Sequence, residues 1–395
     1  MKYLFFLFIL FLSGCGGGGG GGGAAPSAPV SVSTNVAPGS NVMTLYAAPA
    51  SVNVNILLAS VTFCTPNTSN CQTIPNLLVD TGSYGIRLLK SAMPSALQLS
   101  PVTGSGGNPL YDCSQFASGY TWGSVQTADV KMSGETAYGL PVQVIDDVST
   151  TQNPAIPAAC PGPFIGNVQG LNANGVIGIG VFLHDCGQYC VNTPGNNIYF
   201  ECPTSGCASH AEPLNVQIQN PVPNFSGDNN GVVVVLPQIP SSGAAGISGS
   251  LIFGIGTRSN NALGQAKVLP LDGYGNFTTT FNGQSLSTSF IDSGSNMFFF
   301  QDGTTPACTY VVGGYCPSST QSLSATLGSA ITVNFSVANA DQLISTGNLL
   351  FSNMAGSAVG PTSFDWGLPF FFGRSVYFAI NGSVTPYGTG PYVAF

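Results

Sequence analysis

Charge is scarce in this chain: 6% of its 395 residues are Asp, Glu, Lys or Arg, and Lys plus Arg number only 7. With a formal charge of −8 and no basic stripe, nothing neutralises a phosphate backbone, so no nucleic-acid partner is expected. So few cations also mean that protonating the carboxylates in acid leaves little positive charge to repel itself, which is compatible with an acid-tolerant fold. His184 and His210 are the two histidines, and neither sits in a Ser or Cys motif that suggests a nucleophile-base pair. Long stretches at the helical period are rare, which argues against a bundle, and no short repeat period marks a solenoid.

What the chain has is Gly (52) and Pro (28), punctuating short apolar runs. Segments 232–236, 251–253, 278–281, 331–337 and 375–380 are β-branched or aromatic and read as strands of a large β-rich protein. Short helices are expected over 87–98 and 338–346. A chain of 395 residues can bury a substantial core as one large domain or two lobes.

The N-terminus reads as an address. Lys2 precedes an apolar run, Tyr3 to Leu12, that is too short to span a bilayer. Leu12-Ser-Gly-Cys15 then resembles a bacterial lipobox, implying removal of residues 1–14 as a signal peptide and lipid attachment at Cys15. An ordinary cleavable signal with an incidental Cys15 is the plainer alternative. Gly16 after the cysteine favours a lipid-anchored place in the cell envelope, with the outer membrane expected. Residues 15–39, opening with an uninterrupted glycine run from Gly16 to Gly23, read as a Gly/Pro-rich tether that cannot bury a core.

Without Cys15, ten cysteines remain, an even number in a chain expected to be exported, so disulfides are the natural reading. Proximity suggests Cys64 with Cys71, Cys186 with Cys190, Cys202 with Cys207 and Cys308 with Cys316, leaving Cys113 with Cys160; many other connectivities remain possible. A zinc site drawn from Cys186, Cys190, Cys202, Cys207 and a histidine matches no standard spacing, so no metal is expected.

The chemistry is carried by two short strings, Leu-Leu-Val-Asp-Thr-Gly-Ser at 77–83 and Ser-Phe-Ile-Asp-Ser-Gly-Ser at 289–295. In each, an apolar strand delivers an Asp to the start of a Ser/Thr-Gly turn. One isolated copy is simply a turn. Two copies, one per half, suggest that Asp80 and Asp292 face each other. Two carboxyls about 3 Å apart share one proton, and such a pair activates water without metal, cofactor or covalent intermediate.

From these motifs onward the chain resembles the pepsin-like aspartic proteases over roughly residues 40–395. Gln115 to Val125 looks like the flap hairpin, with Phe116, Gly119 and Tyr120 at its substrate-facing end. Asn174 to Gly180 is similar to the segment beneath the first Asp loop, Gly249 to Gly256 to a strand of the shared central sheet, and Trp366 to Ile380 to the late segment of the second lobe. The resemblance implies an all-β, bilobal pepsin-like acid protease fold, with two β-barrel-like lobes (40–260 and 261–395) flanking a central cleft. It implies catalysis by Asp80 and Asp292, supported by Thr81, Gly82, Ser83, Ser293, Gly294 and Ser295, on an extended peptide or unfolded protein substrate. Three positions depart from the pattern. Tyr84 is bulky, Phe116 lacks the usual hydroxyl, and Asp365-Trp366 stands where two apolar residues are expected before Gly367. A catalytically inactive, surface-tethered binding module on the same fold is therefore the alternative, and an unrelated envelope scaffold or adhesin a third.

Overall fold

A computed structural model describes residues 31–33, 39–47, 53–147 and 154–395. The expected signal peptide, Cys15 and the glycine run lie outside the described residues. Within the expected tether, Ser31–Ser33 pair in parallel with Gly246 to Ser248. No helix among the described residues is long and apolar enough to cross a membrane.

Two β-rich lobes share a central antiparallel sheet. Its order is Val42–Tyr46, Gly246–Phe253, Gly231–Val235, Ser375–Ala379, Tyr392–Ala394 and Val268–Pro270. Strands from the beginning, middle and end of the chain thus meet in one layer. The Val232 to Val235 run occupies its middle, where both faces are covered and a continuous apolar stretch is favoured over alternation.

In the first lobe, Leu58–Cys64 and Cys71–Asp80 form a hairpin, and Gly119–Met132 pairs with Glu135–Ile145 beside it. Phe63, Leu77, Val79, Ile86, Val130, Val142 and Ile177 meet in its core. The second lobe is built from Phe277–Phe281, Gln284–Ile291, Gln321–Leu327 and Ile331–Val337. Its core is aromatic, with Phe364 stacked on Trp366 at 4.1 Å and on Phe300 at 4.9 Å. The indole N–H of Trp366 is satisfied by Thr279 Oγ1 at 3.1 Å.

The helix expected within 338–346 forms as Ala340–Ser345, capped by Asn339. The one expected over 87–98 does not. That stretch continues the strand Tyr84–Leu89 and closes with a single 3₁₀ turn, Lys90–Ala92. Partners on both edges, Gly175–Ile179 and Gln143 to Ile145, take the backbone hydrogen bonds a helix would have used, and Arg87 turns inward rather than to solvent.

The disulfides are Cys64–Cys71, Cys113–Cys160, Cys186–Cys190, Cys202–Cys207 and Cys308–Cys316. The four cysteines of the zinc alternative are consumed in two of these bonds, leaving no thiolate ligands among them.

Candidate active site

The site arises from one supersecondary unit used twice. In the first lobe, the strand ending at Asp80 runs parallel to Gly175–Ile179, with Leu78 opposite Val176, Val79 opposite Ile177 and Asp80 opposite Gly178. In the second, the strand Gln284–Ile291 runs parallel to Asp365–Trp366, with Phe290 opposite Asp365 and Ile291 opposite Trp366. The first strand ends on Asp80 and the second runs directly into Asp292, where the Thr/Ser-Gly turns bring the two segments together.

Gly82 N–H donates to Asp80 Oδ1 at 2.8 Å and to Asp292 Oδ1 at 3.1 Å, so one amide touches both carboxyls. Gly294 N–H donates to Asp292 Oδ1 at 2.7 Å. The outer oxygens are held by hydroxyls: Ser83 Oγ donates to Asp80 Oδ2 at 2.5 Å and Ser295 Oγ to Asp292 Oδ2 at 2.8 Å. Behind the carboxyls, Thr81 N–H donates to Ser293 Oγ at 3.1 Å and Ser293 N–H to Thr81 Oγ1 at 2.9 Å. A Cβ on Gly82 would lie 2.7 Å from Asp292 Cγ, and one on Gly294 2.7 Å from Asp80 Oδ1, which is why both turns require glycine. All eight residues expected at the centre therefore come together.

The shared Gly82 amide holds the inner oxygens of the two carboxyls side by side. Burial and the adjacent Asp80 carboxyl hold Asp292 well above the usual carboxylate range, as expected for neighbours that cannot both ionise. Such a pair titrates as a unit with two separated apparent values. Tyr84 packs edge-on against Phe182 at 5.2 Å, and its phenol is driven far above its usual value by burial, then by Asp80 and Asp292.

The flap candidate is a hairpin of Leu110–Phe116 and Gly119–Met132. Gln115 pairs with Tyr120 and Phe116 with Gly119, so Phe116 and Tyr120 project from opposite faces. Phe116 lies with the Arg87 guanidinium 5.4 Å from its ring centre, whereas Tyr120 packs on Phe164. Tyr120 thus does not share the face of Phe116. Gly119 has φ +150°, and a Cβ there would sit 2.1 Å from the Pro163 carbonyl. Phe298 belongs to the aromatic core of the second lobe, packed on Trp366 at 5.7 Å, and it also lines a cavity that includes neither Asp80 nor Asp292.

Sequence reasoning missed the support beneath this hairpin. Arg87 donates to Ser114 Oγ at 2.5 Å and pairs with Asp185 at 3.1 Å, while Tyr199 OH donates to Asp185 Oδ1 at 2.7 Å. Asp112, on the same hairpin strand, accepts from Ser114. The 181–230 region lies along the hairpin's outer edge, Tyr199–Glu201 pairing with Leu110 to Asp112. The only sequence cue was an arginine inside an apolar strand.

Glu201, His210 and Glu212 also cluster, but their carboxylates already accept from Gly106 N–H, Asn108 Nδ2 and Ser105 N–H. A cavity of about 670 Å³ opens on the second lobe between Ser322 to Ser324, Val333 to Ser336 and Pro369 to Arg374. Neither Asp80 nor Asp292 lines it.

This duplicated unit belongs to the bilobal, all-β pepsin-like acid protease fold. The crystal structure of aspartic proteinase from Irpex lacteus is similar at a TM-score of 0.50 and 16% identity, covering 89% of this chain and 96% of that chain. The chain itself belongs to a family described as "Protein of unknown function (DUF3443)", whose model matches residues 35–395. No curated protein matches it.

Proposed function

We propose that the protein is an aspartic-type endopeptidase that hydrolyses extended peptides with a water held between Asp80 and Asp292. The observation that carries this reading is Gly82 N–H bonded to the inner oxygens of both carboxyls. With one proton shared, one carboxyl accepts a proton from water as it attacks the amide carbon. The other donates to the carbonyl oxygen, and the tetrahedral adduct collapses with proton transfer to the leaving amine. The hairpin bearing Phe116 would pair with the substrate backbone, side chains falling into alternate pockets. Cys15 and the glycine run support an envelope-tethered enzyme working on exported peptides.

The test is a diverse peptide pool incubated with purified protein from about pH 3 to about pH 7, beside Asp80→Asn and Asp292→Asn. New termini that appear with the wild type and vanish with both variants support the reading. No cleavage at any pH would favour the silent binding module.

A further inference from the structure

One cation holds the flap hairpin, and it faces two acids. The Arg87 side chain is buried, with Nε–H donating to Ser114 Oγ on the hairpin at 2.5 Å. Nη1 donates to the Tyr84 carbonyl at 2.8 Å and Nη2 to Asp185 Oδ2 at 3.1 Å. Tyr84 directly follows the Asp80 turn, so a single planar fork ties the hairpin to the strand that leaves the catalytic loop. The same guanidinium lies 5.4 Å from the Phe116 ring centre, within cation–π range.

The two acids are not equivalent. Both oxygens of Asp185 are partnered, Oδ2 by Arg87 and Oδ1 by the Tyr199 hydroxyl at 2.7 Å. Asp112 is fully buried on the hairpin strand Leu110–Phe116. Its Oδ2 accepts from Ser114, and its Oδ1 has no hydrogen-bond partner. One guanidinium neutralises one carboxylate, and Asp185 holds that charge by direct contact. Asp112 reaches Arg87 only through a neutral hydroxyl, so its ionisation buries an unpaired charge on a half-satisfied carboxyl. It therefore keeps its proton while the hairpin is shut. Lifting the hairpin lets water reach Asp112, and a carboxyl in water loses its proton above about pH 4.

We propose that Arg87, Ser114 and Asp112 form a pH-sensitive latch beneath the flap, shut while Asp112 is protonated and opening progressively as that proton is withdrawn. Every element packed on Asp112 is consistent with this. Tyr84–Leu89 brings Arg87, the loop after Gly175–Ile179 brings Asp185, and Tyr199 stands opposite Asp112 on the neighbouring strand. Gly123 opposes it on the other side, and Gln143 Nε2 donates to its carbonyl at 2.8 Å; neither titrates. Burial, then Asp185, raises Asp112, with Arg87 and Ser114 opposing, and burial keeps the Tyr199 phenol protonated. For a carboxyl raised in the shut state, the stability of that state is full below the open-state value of about 4 and is lost as pH climbs toward the shut-state value. Each pH unit in that window favours opening by up to about tenfold.

The latch bears on peptide binding only through the endopeptidase reading, but its opening is read without turnover. Amide hydrogen exchange over residues 110–125, corrected for its intrinsic pH dependence, is followed from about pH 4 to about pH 7. Wild type is compared with Asp112→Asn, which cannot ionise, and Arg87→Lys, which keeps the charge but not the fork. Between these limits the opening constant of wild type is expected to rise by at least about tenfold more than that of Asp112→Asn. Arg87→Lys is expected to open more than wild type at every pH; if it does not fold, the comparison with Asp112→Asn decides alone. Equal slopes in wild type and Asp112→Asn overturn the proposal. So does a slope difference shared equally by Gln284–Ile291 in the second lobe, which marks unfolding rather than a latch. If the slopes differ as stated but no peptide is cleaved, the endopeptidase reading fails and the latch stands; cleavage with equal slopes does the reverse.

Discussion

Thr81 and Ser293, 212 residues apart in the chain, exchange backbone-to-hydroxyl hydrogen bonds of 3.1 and 2.9 Å. Ser293 Oγ also donates to the Val79 carbonyl at 2.7 Å, so each turn is tied to the other lobe's strand end. This exchange fixes the separation of the two carboxyls.

Removing the Thr81 hydroxyl leaves Ser293 N–H buried without its acceptor. Thr81→Ala is therefore expected to cost about 1–3 kcal/mol of unfolding free energy, while Thr81→Ser, which keeps the oxygen, costs much less. Denaturant unfolding of the two variants measures the difference.

Gly82→Ala adds a carbon where the Asp292 carboxyl already lies, 2.7–2.9 Å from that carboxyl's atoms. Relief requires the carboxyl or the turn to move, at about 1–3 kcal/mol. Displacing a reacting group by about 1 Å costs roughly a hundredfold in rate. Peptide turnover is thus expected to fall by about that factor in a folded variant, as checked by circular dichroism.

Stability should increase as the solution becomes acidic. Asp112 lies above its usual range through burial, then Asp185, and Asp185 is raised by burial; Asp292 and Asp365 are raised as well. For a raised carboxyl the folded state keeps a proton that the unfolded state has lost. Its contribution is then full below the unfolded value of about 4 and is lost as pH climbs toward the folded value. His184, lowered by burial, opposes this where histidine titrates. The expected result is a higher thermal midpoint near pH 4 than near pH 7. Asp112→Asn should flatten the dependence, and a midpoint that falls between about pH 7 and about pH 4 would contradict it.

Cys113–Cys160 spans 47 positions, against 4 to 8 for the other four bonds. In the chain-entropy model this closure stabilises by about 4 kcal/mol and each short one by about 2–2.5. Replacing both Cys113 and Cys160 by serine should therefore lower the unfolding free energy most, as calorimetry of the paired variants would show.

The aspartates, their glycines and hydroxyls, the strand runs and the nearest-neighbour cysteine pairs were legible because each is a local pattern with a local physical cause. Arg87 was not. Beside Leu88 and Leu89 it suggested one face of a helix, and only sheet partners more than 50 positions downstream made the stretch a strand. Asp365 was visible as a departure, but only the register, which sets it opposite Phe290 as Val176 is set opposite Leu78, shows that it takes the place of an apolar residue. Tyr120 could be separated from Phe116 only once the hairpin register was known.

The most direct measurement is the pH dependence of kcat/KM for peptide cleavage by wild type, Asp80→Asn and Asp292→Asn. The account predicts a bell whose two limbs belong to the pair as a unit, and a loss of at least about a hundredfold in each variant. Cleavage that persists in either variant with the wild-type profile would contradict it.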